Sequence, residues 1–296
     1  MFSGTPERLQ RYEEARMVFA RGQDDSTLSG SYKGSRTGSR SNSPQGPEPA
    51  GDVASRVRAE IGSPVCIGFL GGTAFQGAQA EELVQEIAKR LEASLGSQAA
   101  FITSGMPGVQ RFFANHCGDG SRVWNLVGKG ETSSYGVGRD VQAAGNLEQR
   151  REIFANLGDI FITVEGGPSV SQEAKLAAAN GAQIVPLMRT GGASSGMFSF
   201  PQEALKPPAC VSARQWELLD RIDVPVEECA AAVQGIVHIV IEERRAAGKS
   251  ADRRSSGASL QAIPESPTEP SVTPTTELPL PPRGLLGQSR EGEYTP

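Results

Sequence analysis

The sequence predicts an α/β fold: one doubly wound parallel sheet with helices on both faces, between two tails without a core. Three observations predict it. Short apolar runs alternate with amphipathic helical stretches, which is the order of a parallel sheet with crossover helices. Nearly every run ends in glycine or a Ser-Gly pair, as strands do at the ligand edge of an open sheet. Both ends of the chain lack large apolar residues, so about 190 of its residues are left to build one well-buried domain.

Val65–Leu70 (VCIGFL) is the first run, apolar throughout as a strand buried on both faces should be. It ends in Gly71-Gly72, and a helix follows with Ala80, Leu83, Val84, Ile87, Ala88 and Leu91 at helical spacing. Ala99–Thr103 forms a second strand, closed by Ser104-Gly105; a helix over Val109–His116 leads to a third at Arg122–Val127. The segment GKGETSSYGVGRDVQAAGN then reads as one long, glycine-punctuated loop, a functional candidate by its length. The helix Leu147–Leu157 precedes a fourth strand, Ile160–Val164, and a helix that stops at Asn180-Gly181. Gln183–Leu187 is the fifth strand and empties into RTGGASSG; Ala230–Ala246 closes the domain as an amphipathic helix.

Domain boundaries follow from composition. Residues 1–56 are a Ser/Gly/Arg/Pro-rich region expected to be disordered, residues 57–247 the folded domain, and residues 248–296 a disordered Pro/Ser/Thr-rich tail. Within the first, Leu9, Tyr12, Ala15, Met17 and Phe19 have the spacing of a marginal amphipathic helix. The opening lacks a secretory apolar core, and no apolar run is long enough to cross a bilayer, so a cytoplasmic protein without a membrane partner is expected. A net charge of −5 argues against bulk nucleic-acid binding. Cys66, Cys117, Cys210 and Cys229 form no CxxC pair, and His116 and His238 are the only histidines, which argues against zinc; no metal and no cofactor are expected, and the cysteines read as core filler.

The chemistry gathers in Gln149–Glu173, QRREIFANLGDIFITVEGGPSVSQE. Arg150 and Arg151 lie on one helix, and guanidinium groups suit phosphate or carboxylate through paired hydrogen bonds. Neighbouring helical positions diverge by about 100°, so one of the two is expected to face the site; a solvated charged face beside Glu148 and Glu152 is the alternative. Ser169 with Gln172 fits a capping box, which starts the next helix at Ser169 and aims its free N–H groups at an anion. Glu173 lies about one turn further on, either projecting into the same pocket or simply complementing the helix dipole. No GxGxxG fingerprint and no P-loop are present, which disfavours ordinary NAD binding and P-loop hydrolysis.

These residues resemble the LOG (LONELY GUY) family, long described as "lysine decarboxylase-like", within the SLOG group of Rossmann-like nucleotide-binding proteins. That family pairs an RK-bearing helix with a PGGxGTxxE turn. Here Arg150-Arg151 stands at the RK positions and Glu165–Glu173 (EGGPSVSQE) at the turn, while Gly71-Gly72 and the SGMPGV segment also look like their counterparts. Glu165 replaces the proline, Ser169 the third glycine and Val170 the threonine; both central glycines and the last glutamate remain. The resemblance implies hydrolysis of the N-glycosidic bond of a nucleoside 5′-monophosphate, with Glu173 and Arg150 catalytic. It implies phosphate and ligand contacts from Gly71, Gly72, Ser104, Gly105, Arg151, Gly166, Gly167, Ser169 and Val170, and a homodimer. Glu165 beside a phosphate would be repulsive unless turned away or paired with arginine. The competing reading is a binder or carrier of a phosphorylated ligand without turnover, comparable to nucleotide sensors or molybdenum cofactor carriers; a scaffold working through its tails is a third.

Overall fold

The computed structural model describes residues 48–257; the expected tail segments 1–47 and 258–296, with the short helix at Leu9–Phe19, lie outside the described residues. The compact unit that ends at Lys249 holds the whole sheet, and of the unit from Ser250 onward residues 250–257 are described and are helical.

The described residues form six strands: β1 (Val65–Gly71), β2 (Ala99–Thr103), β3 (Val123–Gly128), β4 (Arg139–Ala144), β5 (Ile160–Val164) and β6 (Gln183–Leu187). All pair in parallel, in the order β4-β3-β2-β1-β5-β6. The helices are α1 (Ala50–Ile61), α2 (Ala78–Leu95), α3 (Val109–Asn115), α4 (Leu147–Leu157), α5 (Pro168–Ala179), α6 (Ala213–Glu217) and α7 (Val226–Gly257). The period-2 alternation of each strand feeds two cores. Val65, Ile67 and Phe69 of β1 pack with α2, α3 and α7, whereas Cys66 and Leu70 pack with α1, α4 and α5. The two-sided fold predicted from the sequence is therefore the fold observed.

Several elements differ from the sequence reading: α6 was not anticipated, and α7 extends through residues 248–257, placed there in the C-terminal tail. Residues 50–56, placed there in the N-terminal tail, begin α1, which buries Val53, Ala54 and Val57 against α4. Arg58 of this helix donates to Asp159 Oδ2 at 2.6 Å and to the Leu157 carbonyl at 2.8 Å, tying α1 to the α4–β5 turn. The long loop after β3 contains a sixth strand: β4 pairs with β3 along Trp124↔Arg139 to Gly128↔Ala144, with a bulge at Val127/Gly128. As an edge strand it buries Val141 on one side and sets the Arg139 guanidinium over the Trp124 ring at 4.9 Å.

Cys66, Cys117 and Cys229 are buried and Cys210 half-buried against the core. Burial pushes the Cys66 thiol up to about 11 and that of Cys117 to about 12, which keeps both protonated and inert. Among the described residues no helix is long and apolar enough to cross a membrane.

Candidate functional site

Chain order reverses between β1 and β5: the first half runs outward from β1 to β4, and the second begins again at β5 beside β1. Ligands of doubly wound sheets bind at the carboxyl ends of strands at such a switch point. Two helix N-termini open there, those of α2 after β1 and of α5 after β5.

The α2 end is filled by the protein itself. Glu165, directly after β5, is turned away from α5 and accepts from the backbone N–H of Gln76 (2.9 and 3.1 Å) and of Gly77 (3.1 Å), the residue that caps α2. These N–H groups and the helix dipole are what an anion seeks. The residue is 3% exposed, with a left-handed backbone at φ 49°, a conformation costing an L-residue about 1–2 kcal/mol. Its own N–H donates to Thr190 Oγ1 at 2.8 Å, and its carbonyl accepts from the Ser194 N–H and hydroxyl. Burial raises its carboxyl pKa, and the Gln76 and Gly77 N–H bonds pull it back. The repulsion anticipated between Glu165 and a phosphate on α5 is thus avoided by orientation.

The α5 end is organised by arginines. Gly167 caps the helix and Pro168 takes the first helical position, where a missing N–H costs nothing. Ser169 is therefore inside the helix, which corrects its assignment as the cap: its hydroxyl accepts from Arg151 Nη2 at 2.6 Å. Arg151 Nε donates to Glu173 Oε1 at 3.3 Å. Arg151, expected as a ligand contact while Arg150 was expected to act with Glu173, is thus the one bonded to the glutamate. The Glu173 side chain is 12% exposed; burial raises its pKa, opposed first by the Arg151 charge and then by that of Arg150.

The Arg150 charge also reaches Glu173, so both arginines act on this carboxylate where one was expected to face the site. The Arg150 guanidinium donates to Glu131 Oε2 at 3.0 Å and approaches the Met106 sulfur at 3.6 Å, while Nε is buried with no hydrogen-bond partner. Glu131 also accepts from the Gly128 N–H and is largely exposed, so Arg150 is held by a loop carboxylate and a soft sulfur. Tyr135, from the same loop, donates its hydroxyl to the Met106 carbonyl. Sequence reasoning singled out neither Glu131 nor Met106; the signal for Glu131 was the length of its loop, and Met106 lies within the SGMPGV segment already noted.

The remaining expected ligand residues have internal partners. Ser104 donates its N–H (2.8 Å) and hydroxyl (3.1 Å) to Gln110 Oε1, and Gly105 N–H reaches Thr103 Oγ1. Gly71 faces Val109 so closely that a Cβ would lie 2.5 Å from its side chain, and the Gly72 carbonyl accepts from the Val109 N–H. The Val170 side chain is in the core against Gly166. Ser194 is buried and bonded to Thr163, and Ser195 bonds the Gly192 carbonyl, so this segment buttresses the turn from behind. Ala193 N–H donates to the Gly166 carbonyl at 2.7 Å, and a Cβ on Gly192 would lie 2.5 Å from that same oxygen, at φ 58°. Gly192→Ala is therefore expected to destabilise the protein by about 2 kcal/mol or more, adding backbone overlap to the left-handed penalty; chemical denaturation checks it, and an unchanged midpoint would refute the buttress.

A cavity of about 370 Å³ adjoins Glu165, between Gln76, Gly77 and Leu83 of the α2 side and Arg189 and Thr190 after β6.

The chain matches no protein-family model and no curated protein. Among solved structures it is similar to the structural-genomics protein TM1055, at 15% identity over 51% of this chain and 88% of that one, TM-score 0.40. It is also similar to the Moco carrier protein from Chlamydomonas reinhardtii, at 18% identity over 59% of this chain and 98% of that one, TM-score 0.39. A third is the molybdenum cofactor binding protein from the phototrophic bacterium Rippkaea orientalis, at 15% identity over 58% and 97%, TM-score 0.39.

Proposed function

We propose that this protein binds a phosphorylated small molecule of the nucleotide class at the α5 end of the crevice and hydrolyses the N-glycosidic bond of a nucleoside 5′-monophosphate. The observation that carries the binding is Arg150: a mostly buried guanidinium with an orphaned Nε, held by an exposed carboxylate and a thioether. A buried donor without a partner calls for an acceptor, and a phosphate oxygen beside a helix N-terminus supplies one. Glu173 is one turn along that helix. In the reaction the bond from C1′ to the base nitrogen breaks, its electrons leave with the base, and water adds to C1′. A proton from that water ends on the base, giving free base and ribose 5-phosphate. A carboxylate stabilises the positive charge that develops on the sugar, and Arg151 holds Glu173 in place for it.

The second reading, a binder or carrier without turnover, is favoured by an apolar Val170 that brings no hydroxyl to the turn. Incubating the full chain with a panel of nucleoside 5′-monophosphates, N6-modified AMPs included, separates the two. Base release establishes the hydrolase; thermal stabilisation without release leaves a carrier or sensor; the absence of both release and stabilisation rejects the nucleotide reading.

Because burial raises the Glu173 pKa, the acid limb of kcat/KM should lie above that of an ordinary glutamate, with activity rising as the carboxylate ionises. Arg151→Gln removes the charge that pulls this pKa down, so the limb should move to still higher pH. An unmoved limb would show that another group controls it. The reading brings with it a homodimer and a cytoplasmic setting; sedimentation showing only monomers at micromolar concentration would remove the dimer.

A further inference from the structure

We propose that Glu165 is a specificity-determining residue, whose carboxylate takes the place of a second phosphate and restricts the ligand to a single phosphate group. This rests on the phosphorylated-ligand reading above.

The two helix N-termini at the switch point, α2 and α5, follow the adjacent strands β1 and β5. A crevice with two such ends open would suit a diphosphate or a dinucleotide, one anionic group at each. Here the α2 end already holds an anion. The Glu165 carboxylate bonds the Gln76 and Gly77 N–H groups, and the residue is almost fully buried. Its backbone is fixed as well, the N–H tied to Thr190 and the carbonyl to Ser194, so the side chain starts from one position. A left-handed backbone would suit glycine at this position, and a glycine would leave both N–H groups open to phosphate. The adjoining cavity is also lined by Arg189, so its two charged side chains are of opposite sign. The buried Arg189 Nη1 has no hydrogen-bond partner and offers one donor to an acceptor such as a sugar hydroxyl or a base edge, while Glu165 beside it opposes a second phosphate.

The test uses the full chain as wild type, Glu165→Gly and Glu165→Gln. Calorimetry measures AMP and ADP, and amide NMR follows Gln76 and Gly77 during titration with inorganic phosphate. The wild type should bind AMP at least about tenfold tighter than ADP, because the added phosphate meets a fixed like charge, and Glu165→Gly should bring that ratio to about one. Phosphate should shift the two amides in Glu165→Gly and not in wild type. If Glu165→Gly does not fold, Glu165→Gln, which keeps the shape without the charge, should still reduce the ratio. Equal wild-type affinity for AMP and ADP, or a ratio unchanged in the folded variants, would overturn the proposal. If no nucleotide binds any form, the phosphorylated-ligand reading fails separately. The phosphate titration then decides the exclusion itself: shifts confined to the variants uphold it, and the same response in wild type overturns it.

Discussion

Replacing Glu173 by glutamine is expected to lower base release from nucleoside 5′-monophosphates by about 10²–10³-fold, the usual loss when one preorganised charge-stabilising group is removed from a transition state. The substitution keeps the shape, and the amide oxygen can still accept from Arg151 Nε, now 3.3 Å from Oε1. What disappears is the negative charge facing the developing oxocarbenium ion. Ground-state affinity, carried by Arg150 and the α5 N-terminus, should change by less than about threefold, since interactions made only in the transition state alter rate and not binding. The fold should survive: the side chain is nearly buried and its ionised form is disfavoured there, so a neutral amide relieves that cost while weakening the contact with Arg151. Single-turnover rates by chromatography, calorimetry with the same nucleotides and a thermal melt of both proteins check all three parts. A rate equal to that of wild type would remove Glu173 from the chemistry; a parallel loss of affinity would make it a ligand contact.

The sheet was legible because its central strands are buried on both faces. VCIGFL, AAFIT and IFITV have no polar face to solvate, so they read as continuous apolar runs. β4 was not legible for the complementary reason: as an edge strand, RDVQAA needs an apolar side chain on one face alone, supplied by Val141, and its glycine-rich approach reads as loop. The helix at Ala50–Ile61 could have been found. Val53, Ala54 and Val57 recur at helical spacing after Pro49, but composition averaged over the neighbouring Ser/Gly/Arg/Pro region hides three small apolar residues.

At the site, residue types carried the reading and partners did not. Arg150, Arg151 and Glu173 do converge, yet which arginine meets the glutamate depends on side-chain paths and not on spacing. The cap was misassigned because Ser-x-x-Gln competes with Gly-Pro for the same helix start, and proline at the first position wins by its fixed backbone. Glu165 was the misfit of the sequence because its partners are backbone N–H groups of Gln76 and Gly77, and any sequence supplies those.

Arg150→Met should weaken binding of a phosphorylated ligand by about 10–100-fold, the worth of a hydrogen bond to a charged group in a mostly buried setting. Glu131→Gln should act in the opposite direction. Its carboxylate holds Arg150 Nη1 at 3.0 Å and competes with the ligand for the same guanidinium, but it is 61% exposed and sits on the loop after β3. An exposed pair of this kind is worth up to about 1 kcal/mol, so removing the competitor should tighten binding by about two- to fivefold. Salt should narrow that gain, because screening weakens the competitor before it weakens the buried contacts. In the double variant the gain should vanish, since the ligand phosphate and the Glu131 carboxylate no longer have a guanidinium to compete for; that non-additivity identifies Arg150 as the shared group. Calorimetry of AMP with the four proteins at two salt concentrations measures the cycle. Glu131→Gln tightening binding equally in both backgrounds would mean that its charge acts on the ligand through space, and Arg150→Met with full affinity would move the phosphate site away from this helix.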